Sequence, residues 1–181
     1  MEIHIHAHLI EQCRNNDKRA QMELYDAYSK AMFNTAFNFV KDDQQAMDLM
    51  QEGFIKAFKK LDTYNGDASF GSWLKRIVVN HCLDWMKKKR IETEEIDQHT
   101  YHLTDDQQLE IDDSIEVKKI YQCIENLPTK CKNVVKLYLI EGYDHEEVAQ
   151  ILNISEVSSR SQLSRGKQRL RELLIQHSYE S

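Results

Sequence analysis

Met47, Met50, Phe54, Ala57, Phe58 and Leu61 recur at i, i+3, i+7, i+10, i+11 and i+14. That spacing draws one apolar stripe down a helix, whereas on a strand it would scatter over both faces. Helical periods of this kind return through most of the chain, and little interrupts them: Pro128 is the single proline, and there are 5 glycines among 181 residues. β-rich folds need such breakers at their turns. Leu, Lys, Glu, Gln and Ala, which favour helix, are abundant. The fold expected is therefore all-α.

Cap and stop residues divide the periodic segments. Asp17 is placed to cap a long helix from Lys18 to about Val40, and Asp42 or Asp43 to cap the helix that carries the stripe. Asp48, Gln51 and Glu52 lie off that stripe as a compact polar patch, which suits either a solvated face or a contact surface. LDTYNGDASFGSW then breaks the period with the Asn65-Gly66 turn signal, and Ser69 caps the next helix, Phe70 to about Arg90. There Phe70, Leu74, Ile77, Val78 and Trp85 fall on one face and Arg76, Asn80, Asp84 and Lys87 on another. Its last turn is expected to hold four consecutive cations, Lys87, Lys88, Lys89 and Arg90, more than the helix dipole asks for.

From there the charge reverses. No Lys or Arg follows until Lys118, while Glu92, Glu94, Glu95, Asp97, Asp105, Asp106, Glu110, Asp112 and Asp113 accumulate. A block of like charge without a period repels itself and stays extended, so residues 91–115 are expected to be an acidic, flexible linker between two small helical domains, 1–90 and 116–181. In the second domain Pro128 suits the first turn of a helix that runs through Val134, Val135, Leu137, Tyr138 and Leu139 to a stop at Gly142. Asp144 and Glu147 form a capping box for DHEEVAQILN. Asn153 tolerates the left-handed turn, and Ser155 caps a final helix to about Ile175. Two helices joined by a tight turn, the second cationic, form a helix-turn-helix pattern. Leu163, Gly166, Leu170 and Leu174 are expected to face inward, leaving Ser158, Ser161, Gln162, Arg165 and Arg169 to reach phosphates and base edges.

A formal net charge of -6 does not conflict with such a role, because nucleic acid responds to local clusters of charge and not to the sum. Cys13, Cys82, Cys123 and Cys131 are scattered without a C-x-x-C pair, so reduced, buried thiols are expected and a zinc ribbon is not. His4, His6 and His8 alternate as metal ligands on a strand would, but HEEV at His145 lacks the second histidine of a zinc-protease motif and no Gly-rich phosphate loop is present. Neither an enzyme nor a cofactor is expected. No apolar run reaches the roughly 20 residues that cross a bilayer, and MEIHIHAHLI lacks a cationic segment ahead of a long apolar one, so a cytoplasmic protein is expected.

DLMQEGFIKAFKKL, SFGSWLKRIVVNHCLDWMKKKR and LPTKCKNVVKLYLIEGYDHEEVAQILNISEVSSRSQLSRGKQRL together resemble, in order and over nearly the whole chain, a bacterial RNA polymerase sigma factor of the extracytoplasmic-function type. The resemblance implies an alternative sigma factor that joins core RNA polymerase, through its β and β′ subunits, and directs promoter recognition, DNA melting and initiation. Asp48, Gln51 and Glu52, with Phe54, would meet the β′ clamp helices. The loop from Asp62 to Ala68 would set minus-ten specificity and Asn80 would contact a flipped base, while Arg76, Lys87, Lys88, Lys89 and Arg90 hold phosphates. Trp73 and Trp85 are expected to pack inside. Ser158, Arg160, Ser161, Ser164 and Arg165 would lie at the minus-thirty-five element.

Four positions depart from the family's pattern: Val157-Ser158 replaces a common Gly-Thr, Gly166 a small Ala, and Gln162 a frequent Arg. The acidic linker would resemble nucleic acid to the polymerase channels it threads, or it would simply keep two domains apart. An anti-sigma factor or similar regulatory protein is the further partner implied. The rival reading is a conventional helix-turn-helix regulator that never joins polymerase, which would have no need of DLMQEG or WLKRIVVN.

Overall fold

The computed structural model describes residues 6–94 and 112–179, so His4 and residues 95–111 of the expected acidic linker lie outside the described residues. The chain divides into two compact units, Met1–His99 and Thr100–Ser181.

The first unit holds α1 (Ala7–Arg14), α2 (Lys18–Val40), α3 (Asp43–Lys59), a short 3-10 turn (Leu61–Thr63) and α4 (Phe70–Glu94). Asp17 accepts hydrogen bonds from the backbone N–H groups of Arg19 and Ala20 at 2.8 and 3.3 Å, which satisfies donors that the first turn of α2 would otherwise leave open. That helix ends where Lys41 turns left-handed, with φ 54°. Asp42 then caps α3 through the Gln45 N–H at 2.7 Å. Leu24, Leu49, Met50, Leu74, Val78 and Val79 are almost wholly buried where α2, α3 and α4 pack together. The α3–α4 approach is close enough that a Cβ on Gly53 would sit 2.7 Å from Val78 Cγ2, so the absent side chain is what lets the helices meet.

Of the alternating histidines, His6 precedes α1, its ring set edge-on to Tyr28, and His8 is an exposed helical residue, in keeping with the disfavoured status of the metal-strand pattern. Several expectations need correction here. The helix α1 itself had no sequence forecast. On α3 the buried face is Ala46, Leu49, Met50, Gly53, Phe54 and Ala57, and Met47 turns out toward solvent at 39% exposure. Finally, α4 continues to Glu94, so Lys87 to Arg90 lie before its last turn and not in it. Ile91 to Glu94 contain no breaker and simply prolong the helix.

The second unit holds α5 (Asp112–Glu125), α6 (Thr129–Val135), a π turn (Lys136–Ile140), α7 (His145–Leu152) and α8 (Glu156–Tyr179). Pro128 sits at the N-cap of α6, one position before the first turn. The helix expected to run unbroken toward Gly142 widens into the π turn, which leaves Leu139 46% exposed and carries Lys136 into the interior at 1%. Lys136 Nζ meets Glu125 Oε1 at 2.7 Å, and Lys132 Nζ lies 3.5 Å from the other oxygen. Gly142, with φ 76°, ends the segment. Among the described residues no helix is long and apolar enough to cross a membrane.

Candidate nucleic-acid interface

In the first unit α3 presents Asp48, Gln51 and Glu52 on one exposed face, with Met47 and Ile55 exposed as well. Gln44 donates to Asp48 at 3.3 Å. Phe54, expected among the contact residues, is 2% exposed and packs on Tyr25 and Phe58 at ring distances of 4.8 and 6.1 Å. It supports the helix from inside and cannot touch a partner. Glu52 is tied to α4, because its Oε2 lies 2.6 Å from His81 Nε2, whose other ring nitrogen is 2.6 Å from Lys56 Nζ.

On α4, Asn80, Asp84, Lys87, Lys88, Lys89 and Arg90 are exposed and Arg76 is half-buried. An amide and a run of cations therefore share this helix's surface, a set suited to reading a base edge and holding phosphates. Trp73 is half-buried against Tyr64 and Phe70 at 5.3 and 5.6 Å, as expected of a packed aromatic. Trp85 is also half-buried, with the Lys89 ammonium 4.8 Å above its ring.

The loop before α4 is held from three sides. Tyr64 is buried and its hydroxyl donates to the Ala68 carbonyl at 2.8 Å, closing the loop. Burial raises its phenol above the ordinary value, with the nearby Arg14 guanidinium opposing, so the group remains a donor. Arg14 of α1 donates through Nη2 to the Tyr64 carbonyl at 2.5 Å and through Nη1 to Glu11 at 3.1 Å. Asn65 bonds the Asp67 carboxylate and accepts from the Asp67 N–H at 3.2 Å around Gly66, whose φ is 85°. Asn65 thus serves the turn itself, and Asp62, Thr63 and Asp67 are left exposed. Ser69 Oγ then caps α4 through the Ser72 N–H at 3.2 Å.

The second unit forms the helix-turn-helix. Asp144 accepts from the Glu147 N–H at 2.8 Å while Glu147 accepts from the Asp144 N–H at 3.0 Å, completing the capping box of α7. Asn153, with φ 52°, makes the turn, and Ser155 Oγ accepts from the Ser158 N–H at 3.1 Å to start α8. His145 Nδ1 and the buried Ser159 hydroxyl, 2.9 Å apart, fix the two helices to each other. Arg160, Ser161, Ser164 and Arg165 are exposed, while Ser158 is half-buried and accepts from Gln162 at 2.9 Å.

Two departures from the family pattern acquire a setting. Val157 stands 76% exposed in the first turn of α8. A Cβ on Gly166 would lie 2.6 Å from Val135 Cγ2, so the glycine lets α8 settle onto α6. Arg14 and His81, which hold the loop and Glu52, had no sequence forecast, since their partners lie 50 and 29 residues away.

Family models for sigma-70 region 2 and sigma-70 region 4 match residues 24–91 and 118–170. The chain is 28% identical over 172 residues to the RNA polymerase sigma-H factor of Pseudomonas aeruginosa, covering 88% of this chain and 89% of that one. It is 30% identical over 155 residues to the ECF RNA polymerase sigma factor SigX of Bacillus subtilis, covering 82% of this chain and 80% of the relative. Among solved structures, the sigma factor RpoE of Bartonella quintana, in complex with the anti-sigma factor NepR, shares the fold with a TM-score of 0.64 at 21% identity, over 85% of this chain and 96% of that one.

Proposed function

The chain belongs to the extracytoplasmic-function (ECF) sigma factors of RNA polymerase, and from that premise we propose how its two units divide the work of an alternative sigma factor that directs transcription initiation. Sigma factors are initiation factors, not catalysts. The first unit attaches to core polymerase through Asp48, Gln51 and Glu52 on α3, which meet the clamp helices of the β′ subunit, with the β subunit completing the dock. A polar rim beside exposed Met47 and Ile55 suits a helix-on-helix interface.

Its α4 and the braced loop from Asp62 to Ala68 engage the minus-ten element. Opening a duplex without nucleotide hydrolysis needs capture of unstacked bases, for which the exposed Asn80 amide supplies edge recognition. Arg76 and Lys87 to Arg90 hold phosphates, giving affinity and salt dependence but little sequence choice. The second unit reads the minus-thirty-five element through Arg160, Ser161, Ser164 and Arg165 of α8, with Ser158 at the edge of that surface. The acidic segment between them, by its charge, suits the electropositive channels of polymerase until RNA displaces it. A protein working with polymerase acts in the cytoplasm. An anti-sigma factor or comparable regulator is its proposed controlling partner, as the shared fold of the Bartonella protein is found with one.

The observation that carries this reading is that both matched segments lie in the family's order, with the α3 patch and the α4 and α8 cations exposed. Its test is complex formation with core RNA polymerase, followed by size exclusion, for the wild type and for Asp48→Ala/Gln51→Ala/Glu52→Ala. The wild type should co-elute stoichiometrically and the triple variant should not. A wild-type chain that ignores core polymerase yet binds duplex DNA alone would instead be a conventional helix-turn-helix regulator.

A further inference from the structure

His81 follows Asn80 on α4 and sits between two α3 side chains one turn apart, Glu52 and Lys56. Lys56 Nζ is 2.6 Å from Nδ1, and Glu52 Oε2 is 2.6 Å from Nε2. An ammonium only donates, so Nδ1 must be the bare acceptor; the ring proton therefore resides on Nε2 and is donated to the carboxylate. The imidazole is neutral in this arrangement, and every donor in the series Lys56, His81, Glu52 faces an acceptor. The histidine side chain is 11% exposed against 60% for the glutamate, so a mostly shielded ring holds an accessible carboxylate. Glu52 and Lys56 are spaced to pair directly on α3. Instead both turn onto the neighbouring helix.

An exposed glutamate normally samples several rotamers and loses that freedom when a partner binds. Here one oxygen is already held, and the other shares a carboxylate open to solvent. We propose that His81 is a positioning residue for polymerase attachment: it pre-orders Glu52 and locks that contact to the helix that carries Asn80. The inference rests on the assignment of Glu52 to the polymerase surface.

Its chemistry supplies an isosteric test. In His81→Gln the amide N–H can donate to Glu52 while its carbonyl accepts from Lys56; His81→Leu keeps bulk and loses both bonds. Affinity for core polymerase is titrated for these variants, for Glu52→Ala and Asp48→Ala, and for Lys56→Met, which removes the ammonium at an exposed position without disturbing the core. Thermal melting runs in parallel.

His81→Leu should weaken binding about three- to tenfold, the range for ordering one such side chain. His81→Gln should restore it, Lys56→Met should weaken it in the same direction, and His81→Leu should add nothing in a Glu52→Ala background while adding fully to Asp48→Ala. Wild-type affinity in both His81→Leu and Lys56→Met, beside a weakened Glu52→Ala, overturns the proposal. So does loss that follows melting temperature equally in His81→Leu and His81→Gln. If Glu52→Ala and Asp48→Ala both bind normally, the surface assignment fails, and the proposal with it.

Discussion

The two units build their proposed contact surfaces by different means. In the first, each surface is braced by a residue from another helix: Glu52 on α3 by His81 on α4, and the Tyr64 to Ala68 loop by Arg14 on α1. In the second, the outward face of α8 is cross-linked along its own length, by Glu156 to Arg160, Ser158 to Gln162 and Arg169 to Glu172, and its position is set from beneath by Gly166 and Ser159. A surface assembled from several elements suits the role proposed for this unit, gripping a protein and opening DNA together. A straight helix fits a groove as it stands, needing only to be aimed.

The largest effect that would sharpen this contrast lies under the second unit. Lys136 is buried with Glu125 as an ion-pair partner, and Glu125→Ala removes that carboxylate from a buried ammonium, at a cost of about 3 kcal/mol. Amide exchange should show the loss confined to that unit, while tryptophan emission, which arises only from Trp73 and Trp85 in the first, stays unchanged. Burial also holds Lys136 below its ordinary value of 10.5, with the Glu125 carboxylate opposing. The folded unit then binds fewer protons than the unfolded one as pH approaches 10.5 from below. Its stability should rise with pH in that window, and denaturant titration across it gives the slope.

Next comes Arg14→Ala, which frees the Tyr64 carbonyl and should cost about 1 kcal/mol of stability. Promoter opening should fall severalfold while affinity for core polymerase is unchanged, as permanganate footprinting beside a binding titration would report. Equal loss in both would contradict separate bracing of the two surfaces. Within α8, Glu156→Ala removes an exposed i, i+4 pair and should shift stability by no more than about 0.5 kcal/mol. The smallest effect concerns the thiols: Cys131 is half-buried and should react first with a thiol reagent. Cys13, which is buried and whose thiol is pushed up to about 11 mainly by desolvation, should react more slowly than Cys131.

What the sequence discloses follows the same division. Asp17, Asp42, the Asp144 and Glu147 box, Asn153 and Gly142 all act within a few residues of themselves, so their roles are legible from spacing alone, and α2 begins and ends where those signals stand. The α8 face is legible for the same reason. The inward turn of Lys136 depends on what packs against it, and apolar spacing does not weigh that; the burial of Phe54 is what its place on the stripe predicts, and only the resemblance put it at a contact surface. Met47 illustrates the limit: it falls on the periodic stripe, but α3 buries a face centred on Leu49, Met50 and Gly53, and the methionine sits just beyond its edge. Arg14 and His81 are polar residues without a local motif, and their meaning lies in contacts that only the folded chain creates.

The most direct measurement is transcription from a genomic library by core polymerase reconstituted with this chain, with start sites sequenced. The account requires a new, restricted set of starts that share two upstream elements; Asn80→Ala should lose opening at these sites while the holoenzyme still binds them, and Arg165→Ala should weaken the initial binding. Starts identical to those of core polymerase alone, or a chain that occupies promoters without polymerase, would contradict it.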